Sequence, residues 1–178
     1  MDWRIVLREP VGSAVEQMAC DVALAQAGLP AARFFSWEPV AVSLGWKQPV
    51  PEWVGARGWG VPEVVERPTG GGIAFHGSDL SIAVVIPRSL ERPLDLLMRA
   101  TCGSAARLCR SFGVEAYAPT EGCGRGRITY CLTQPSPYAV MVGGRKLGGF
   151  AIRRYPTSWL IQGSLLIRPL PRALAAVL

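Results

Sequence analysis

The chain has 178 residues and a formal charge of +6, with 49% hydrophobic residues, 20 Gly and 15 Pro spread along its length. That length fits one domain and buries about 70% of the surface of the unfolded chain, so neither disulfides nor a metal are needed to hold a core. The composition excludes a disordered chain, and no stretch reads as a membrane span.

Charged residues stand where a signal peptide would carry its apolar core, so the chain is expected in the cytoplasm with no membrane partner. Its five cysteines (Cys20, Cys102, Cys109, Cys123, Cys131) form no CxxC pair and are expected as free thiols. With His76 as the single histidine, no metal site is expected. The positive charge suits an acidic carrier protein or a phosphate-bearing ligand. No dense Lys/Arg run with interleaved aromatics points to nucleic acid. Only Lys47 and Lys146 are lysines, against seventeen arginines. A lysine kept in so arginine-biased a chain is a candidate for work that needs a compact, deprotonatable amine.

Residues 3–7 read as a strand. Gly12 and Ser13 open a helix over 14–27, with Val15, Met18, Ala19 and Val22 as an apolar stripe and Gly28 and Pro30 as its end. Strand-like runs follow at 33–37 and 40–44, broken by Glu38 and Pro39. A short helix is expected at 50–54, with Pro51 in its first turn. Residues 63–67 read as a strand leading to a turn at 69–72, and 81–86 as a buried strand. A long helix is expected over 93–112, ended by Gly113, then a loop over 119–127. Residues 138–142 and 145–154 flank Gly143 and Gly144 as a hairpin, 159–167 form another strand, and 170–178 a terminal helix. Strands grouped in adjacent pairs with helices between them predict an α+β fold: a mixed, largely antiparallel sheet with flanking helices.

Three segments carry candidate chemistry. In the run from Arg67 to Asp79, the successive Gly70, Gly71 and Gly72 let backbone N–H groups approach a ligand with no Cβ in the way. Arg67 adds a forked donor for an anion, and His76 follows the turn as a base, a ligand contact or a packing residue. The alternative for the triglycine is a plain flexible turn. In the second segment, Lys146 sits between Gly143-Gly144 and Gly148-Gly149. It either points at a ligand carbonyl, stabilising developing negative charge, or is a solvated hairpin lysine. In the third, Cys131 is either a nucleophile activated by a nearby cation such as Lys146 or a small buried hydrophobe. Cys102 and Cys109, seven apart on one helix face, are assigned to packing. The basic run from Gly122 to Arg127 resembles a nucleotide loop only superficially.

Together these segments resemble the lipoate/biotin protein-ligase superfamily. RPTGGGIAFHGSDLS at 67–81 resembles its Arg-x-x-Gly-Gly-Gly-x-x-x-His signature, and GGRKLGGFAIRR at 143–154 its lysine segment, with Lys146 at the lysine. VSLGWKQ at 42–48 and QGSLLI at 162–167 resemble flanking strands, and CLTQPSPY from Cys131 resembles the cysteine segment of cysteine-dependent octanoyltransferases.

The resemblance implies a single catalytic domain over 1–178 without a C-terminal accessory domain. It implies transfer of an octanoyl or lipoyl group to a lysine of a lipoyl carrier domain, with acyl carrier protein as a donor. Cys131 then forms the thioester and Lys146 holds the acyl carbonyl. Arg67, Gly70, Gly71, Gly72, His76, Gly148 and Gly149 bind substrate. Two alternatives stay open: an ATP-dependent ligase using Mg2+ and an acyl-adenylate, with a separate accessory subunit, and an inactive acyl-carrier-binding protein.

Overall fold

Ser13 starts the first helix as its cap. Its hydroxyl accepts the Glu16 N–H at 3.3 Å, and the Glu16 carboxylate accepts the Ser13 N–H at 2.7 Å. This reciprocal box satisfies amide donors that a helix start leaves open. Helix α1 (Ala14–Ala27) stops at Gly28, which takes a φ of 69° and donates its N–H to the Leu24 carbonyl. Both boundaries agree with the sequence expectation. The structure, a computed structural model, describes residues 3–7, 12–54, 63–90, 92–119, 131 and 136–169.

Strand β1 (Arg4–Leu7) precedes α1. After it come β2 (Ala31–Phe35), β3 (Ala41–Leu44), β4 (Glu63–Glu66), β5 (Ala74–His76) and β6 (Asp79–Pro87). Helix α2 (Leu94–Ser111) leads to β7 (Ala116–Tyr117), β8 (Ala139–Val142), β9 (Arg145–Arg154) and β10 (Ser158–Leu166). The strands form a seven-stranded sheet, β1-β2-β6-β10-β9-β8-β7, and a three-stranded sheet, β4-β3-β5. The large sheet is antiparallel except for β1 against β2. The α+β class with a mostly antiparallel sheet and flanking helices therefore holds, divided between two sheets.

Side chains that alternate along a strand sort to opposite faces. Ala83 and Val85 of β6 pack with Ala31, Phe35 and Leu160 against Met18 and Ala25 of α1. Ile82 faces the other way, joining Val140, Phe150 and Ile161 beneath Leu97, Met98, Cys102 and Ala106 of α2. Cys109 packs at the edge of the same cluster, so both helix cysteines fall in the packing role expected of them. The small sheet has its own core of Val42, Leu44, Ile73 and Phe75.

The face that α1 buries differs from expectation. Val15 is 64% exposed and Ala19 is exposed, while Gln17, Met18 and Asp21 are buried. The cause is Arg33 on β2, only 1% exposed beneath the helix. Arg33 Nη1 donates to Asp21 Oδ1 at 2.8 Å and to the Gln17 carbonyl at 3.3 Å, and Nη2 donates to Gln17 Oε1. A buried guanidinium needs acceptors, so the helix turns a polar stripe inward.

Residues 52–54 form a turn rather than the expected helix, closed by Val54 N–H on the Pro51 carbonyl at 3.0 Å. One such bond does not offset the cost of nucleating a helix. Strands β5 and β7, of three and two residues, were not expected from the sequence. Residues 120–127 of the expected loop, with Cys123, and the terminal helix at 170–178 lie outside the described residues. Among the described residues, no helix is long and apolar enough to cross a membrane.

Candidate active site around Cys131 and Lys146

The loop after β4 is fastened on several sides. Arg67 N–H donates to the Leu44 carbonyl at 2.8 Å, and Trp46 N–H donates to the Thr69 carbonyl at 2.9 Å. Thr69 is fully buried and donates its hydroxyl to Gln162 Oε1 at 2.7 Å. Gln162 Nε2 in turn donates to Asp21 Oδ2 at 2.6 Å, so the loop is tied through β10 to α1. Gly45 lets the two segments meet, since a Cβ there would collide with the Gly71 carbonyl.

Held in this way, the triglycine turn points at a sulfur. Gly71 takes a φ of 98°, a left-handed value open to glycine, and the next amide, Gly72 N–H, lies 3.0 Å from Cys131 Sγ. Cys131 reaches the turn through its own N–H on the Ile73 carbonyl at 2.8 Å. Arg67 Nη2 is 3.4 Å from the same sulfur and donates to the carbonyls of Gly70 at 2.9 Å and Gly72 at 2.7 Å. Burial presses the Arg67 pKa below its ordinary value, and the charge and hydrogen bond of Cys131 work in the opposite sense. Two N–H donors directed at one sulfur make a setting suited to a thiolate nucleophile.

Lys146 comes from the other wall. Its Nζ donates to Ser136 Oγ at 2.8 Å. Burial lowers its pKa from the ordinary lysine value, while the charges of Cys131 and Cys102 raise it. Cys131 and Lys146 line one pocket, with apolar walls from Met18, Phe35, Trp37, Ile82 and Phe150.

The expected residues fall into three groups. Arg67, Gly71, His76, Cys131, Lys146 and Gly149 border the pocket. Gly70 and Gly72 supply carbonyls that orient Arg67, and Gly72 also supplies the N–H at the sulfur. Gly148 is placed differently. It sits in the sheet where a Cβ would run into the Ser164 carbonyl and Leu165, so it serves close strand packing rather than the pocket wall. Phe150 lays its ring across Gly163 in the core under α2.

His76 is 4% exposed and stacks on Trp37 with ring centroids 4.1 Å apart. Its Nε2 is 2.8 Å from Ser43 Oγ and its Nδ1 2.8 Å from Asp79 Oδ2. Ser43 and Asp79 had no role in the sequence reading. Asp79 carried a usable signal, an acid three residues beyond the only histidine across a glycine. Ser43 carried only its place in the VSLGWKQ run, and the pairing of β3 with β5 is what brings it to His76.

The chain is similar in sequence and in fold to known proteins. The lipoyl protein ligase A/B catalytic domain model matches residues 13–178. The octanoyltransferase LipM of Kyrpidia tusciae is 33% identical over 99% of this chain, which spans 70% of that relative. LipM of Bacillus subtilis is 30% identical over 78% of this chain, covering 54% of that relative. A lipoate-protein ligase A bound with ATP superposes with a TM-score of 0.82 at 22% identity, over 99% of this chain and 71% of that one. A bi-partite lipoate protein ligase from Thermoplasma acidophilum superposes at 0.76 and 21% identity, over 99% of this chain and 66% of its own. These structural likenesses speak to the fold, and with the sequence match over 13–178 they mean that the chain belongs to the lipoyl protein ligase A/B catalytic domain family.

Proposed function

We propose that this chain transfers an octanoyl group from a thioester donor to a lysine of a lipoyl carrier domain through an acyl thioester on Cys131. The observation that carries this is the convergence of Gly72 N–H and Arg67 Nη2 on Cys131 Sγ in a pocket shared with Lys146. The LipM relatives named above, octanoyltransferases at 30–33% identity, support the acyl group and the reaction type.

The reaction balances without an oxidant or a nucleotide. The Cys131 thiolate attacks the carbonyl carbon of the donor thioester, and the donor sulfur leaves, taking a proton to end as a thiol. The neutral carrier-lysine amine then attacks the acyl-enzyme, an amide forms, and the Cys131 sulfur departs as thiolate while the amine's proton is released. In each tetrahedral intermediate the Lys146 ammonium stabilises the carbonyl oxygen's negative charge, as a preorganised cation does in a partly dry site. The apolar walls take the acyl chain, and lipoyl is the alternative acyl group. Acyl carrier protein serves as thioester donor, already activated, so the route needs neither ATP and Mg2+ nor an accessory subunit.

The test is transfer itself. Octanoyl-acyl carrier protein and a lipoyl domain are mixed with the protein without ATP, and the lipoyl domain is weighed. The expected result is one octanoyl group on the lipoyl domain with the native protein and none with Cys131→Ser. Acylation that appears only with free octanoate and ATP would instead establish an adenylating ligase.

A further inference from the structure

A hydrogen-bonded chain runs through the pocket wall from Asp79 to the Cys131 sulfur. Asp79 is 2% exposed and accepts from His76 Nδ1 at 2.8 Å, Ser81 Oγ at 3.1 Å, the Gly77 N–H at 3.0 Å, and Ser164 Oγ. Burial works against its charge, but the His76 ring and these donors outweigh it and hold the carboxyl below its ordinary pKa. A carboxylate only accepts, so His76 carries a proton on Nδ1. Ser43 Oγ accepts Arg67 Nη1 at 3.1 Å, which leaves the serine hydrogen to point at His76 Nε2, 2.8 Å away. Arg67 then reaches Cys131 Sγ through Nη2.

Nothing in this chain is loose. The His76 ring lies 18° from parallel to Trp37, whose Nε1 donates to Ser81 Oγ at 2.7 Å, and Ser81 donates to Asp79. Arg67 is a buried cation. Among the described residues its side-chain partners are the Ser43, Gly70 and Gly72 carbonyls, the Ser43 hydroxyl and the Cys131 sulfur, with no carboxylate. Buried charge is costly unless compensated, so the aim of this guanidinium depends on that hydroxyl and on the carboxylate behind it.

We propose that Asp79, His76 and Ser43 are positioning residues that act through Arg67 to aim its guanidinium at Cys131 and so set the reactivity of the thiolate. The inference rests on the reading of Cys131 as the nucleophile. It predicts that the Ser43 hydroxyl matters to a sulfur it does not touch.

Ser43→Ala removes one oxygen and keeps the backbone carbonyl that also accepts Arg67 Nη1 at 3.1 Å. Asp79→Asn keeps the shape and removes the charge. In the whole protein, capture of Cys131 by iodoacetamide at neutral pH is followed by mass spectrometry of the Cys131 peptide. Both variants are expected to slow capture roughly tenfold, the scale of one charge-assisted hydrogen bond. Ser43→Ala is also expected to lower kcat for octanoyl transfer with KM unchanged. A loosened fold would expose the thiol and speed its capture, the opposite sign. Capture requires no acyl donor, so its outcome does not depend on whether octanoyl is the substrate. Unchanged or faster capture in Ser43→Ala, in a protein that still forms the Cys131 octanoyl thioester, overturns the relay alone and leaves the transferase reading in place.

Discussion

Lys146 and Gly149 lie on one side of β9, with the Lys146 side chain over the Gly149 Cα, although three positions apart on a regular strand would put them on opposite faces. The pairing of β8 with β9 shows why. Val140 pairs with Gly148 but Met141 pairs with Lys146, so Leu147 is the extra residue of a bulge. A bulge re-aims the side chains on one side of it. Without it Lys146 would share the α2 face with Gly148 and Phe150. A Cβ on Gly149 would lie 3.0 Å from Lys146 Cε and 3.1 Å from Nζ. Gly149→Ala is expected to shift stability by less than about 1 kcal/mol, because the crowded atoms end a flexible side chain. It should cut transfer about tenfold or more by displacing the ammonium. Thermal melting and turnover measured on one preparation test both halves, and unchanged turnover counts against the proposed placement.

Removing the ammonium itself is the stronger perturbation. Lys146→Ala is expected to lower the transfer rate by about 10²–10³-fold, the scale seen when one preorganised donor is deleted. Its melting temperature should stay close to the native value, since the side chain is only half-buried. Near-native turnover removes the carbonyl-holding role.

The Asp21–Arg33 pair is a liability if broken. Both side chains are almost fully buried, with N–O at 2.8 Å. Asp21→Ala takes a carboxylate away from a buried guanidinium and from Gln162 Nε2, and should cost about 3–5 kcal/mol in urea unfolding. Replacing the pair with apolar residues of similar size should recover much of that loss. A single variant as stable as the native chain would show that the pair is not what fixes the face α1 buries.

Cysteine reactivity separates the site from the core. Burial pushes the Cys102 thiol up to about 11, with smaller opposing effects from its own backbone hydrogen bond and from Lys146 and Arg99. Reaction with iodoacetamide at neutral pH is expected to mark Cys131 and spare Cys102 in the folded protein. Peptide mapping over time reads this directly, and earlier marking of Cys102 would reverse the assignment.

Acid should act through Asp79. Its pKa is lowered in the fold, so the carboxylate's contribution to stability is full above the ordinary carboxylate value of 3.8 and is lost as pH falls through and below it. The stability gap between the native chain and Asp79→Asn should therefore narrow on acidification in that range. A gap independent of pH would mean that the charge of Asp79 contributes nothing.

The sequence was most informative where chemistry is local. Ser13 and Gly28 marked the ends of α1, and Gly143 and Gly144, with φ of 54° and 75°, made the hairpin expected of them. Cys131 and Lys146 were found through their flanking segments. What stayed hidden depends on distant partners. The inward stripe of α1 answers to Arg33 on a different element, and β5 and β7 are too short to show a period. The Leu147 bulge has no local mark, yet it decides which face carries Lys146. Ser43 stood inside the VSLGWKQ run, but its tie to His76 came only with the pairing of β3 and β5.

The most direct measurement is the intact mass of the protein after mixing with octanoyl-acyl carrier protein in the absence of ATP. A Cys131 thioester mechanism predicts a gain of one octanoyl group that hydroxylamine removes and that Cys131→Ser does not acquire. Acylation of the lipoyl domain with no such adduct, or an adduct that persists in Cys131→Ser, would contradict it.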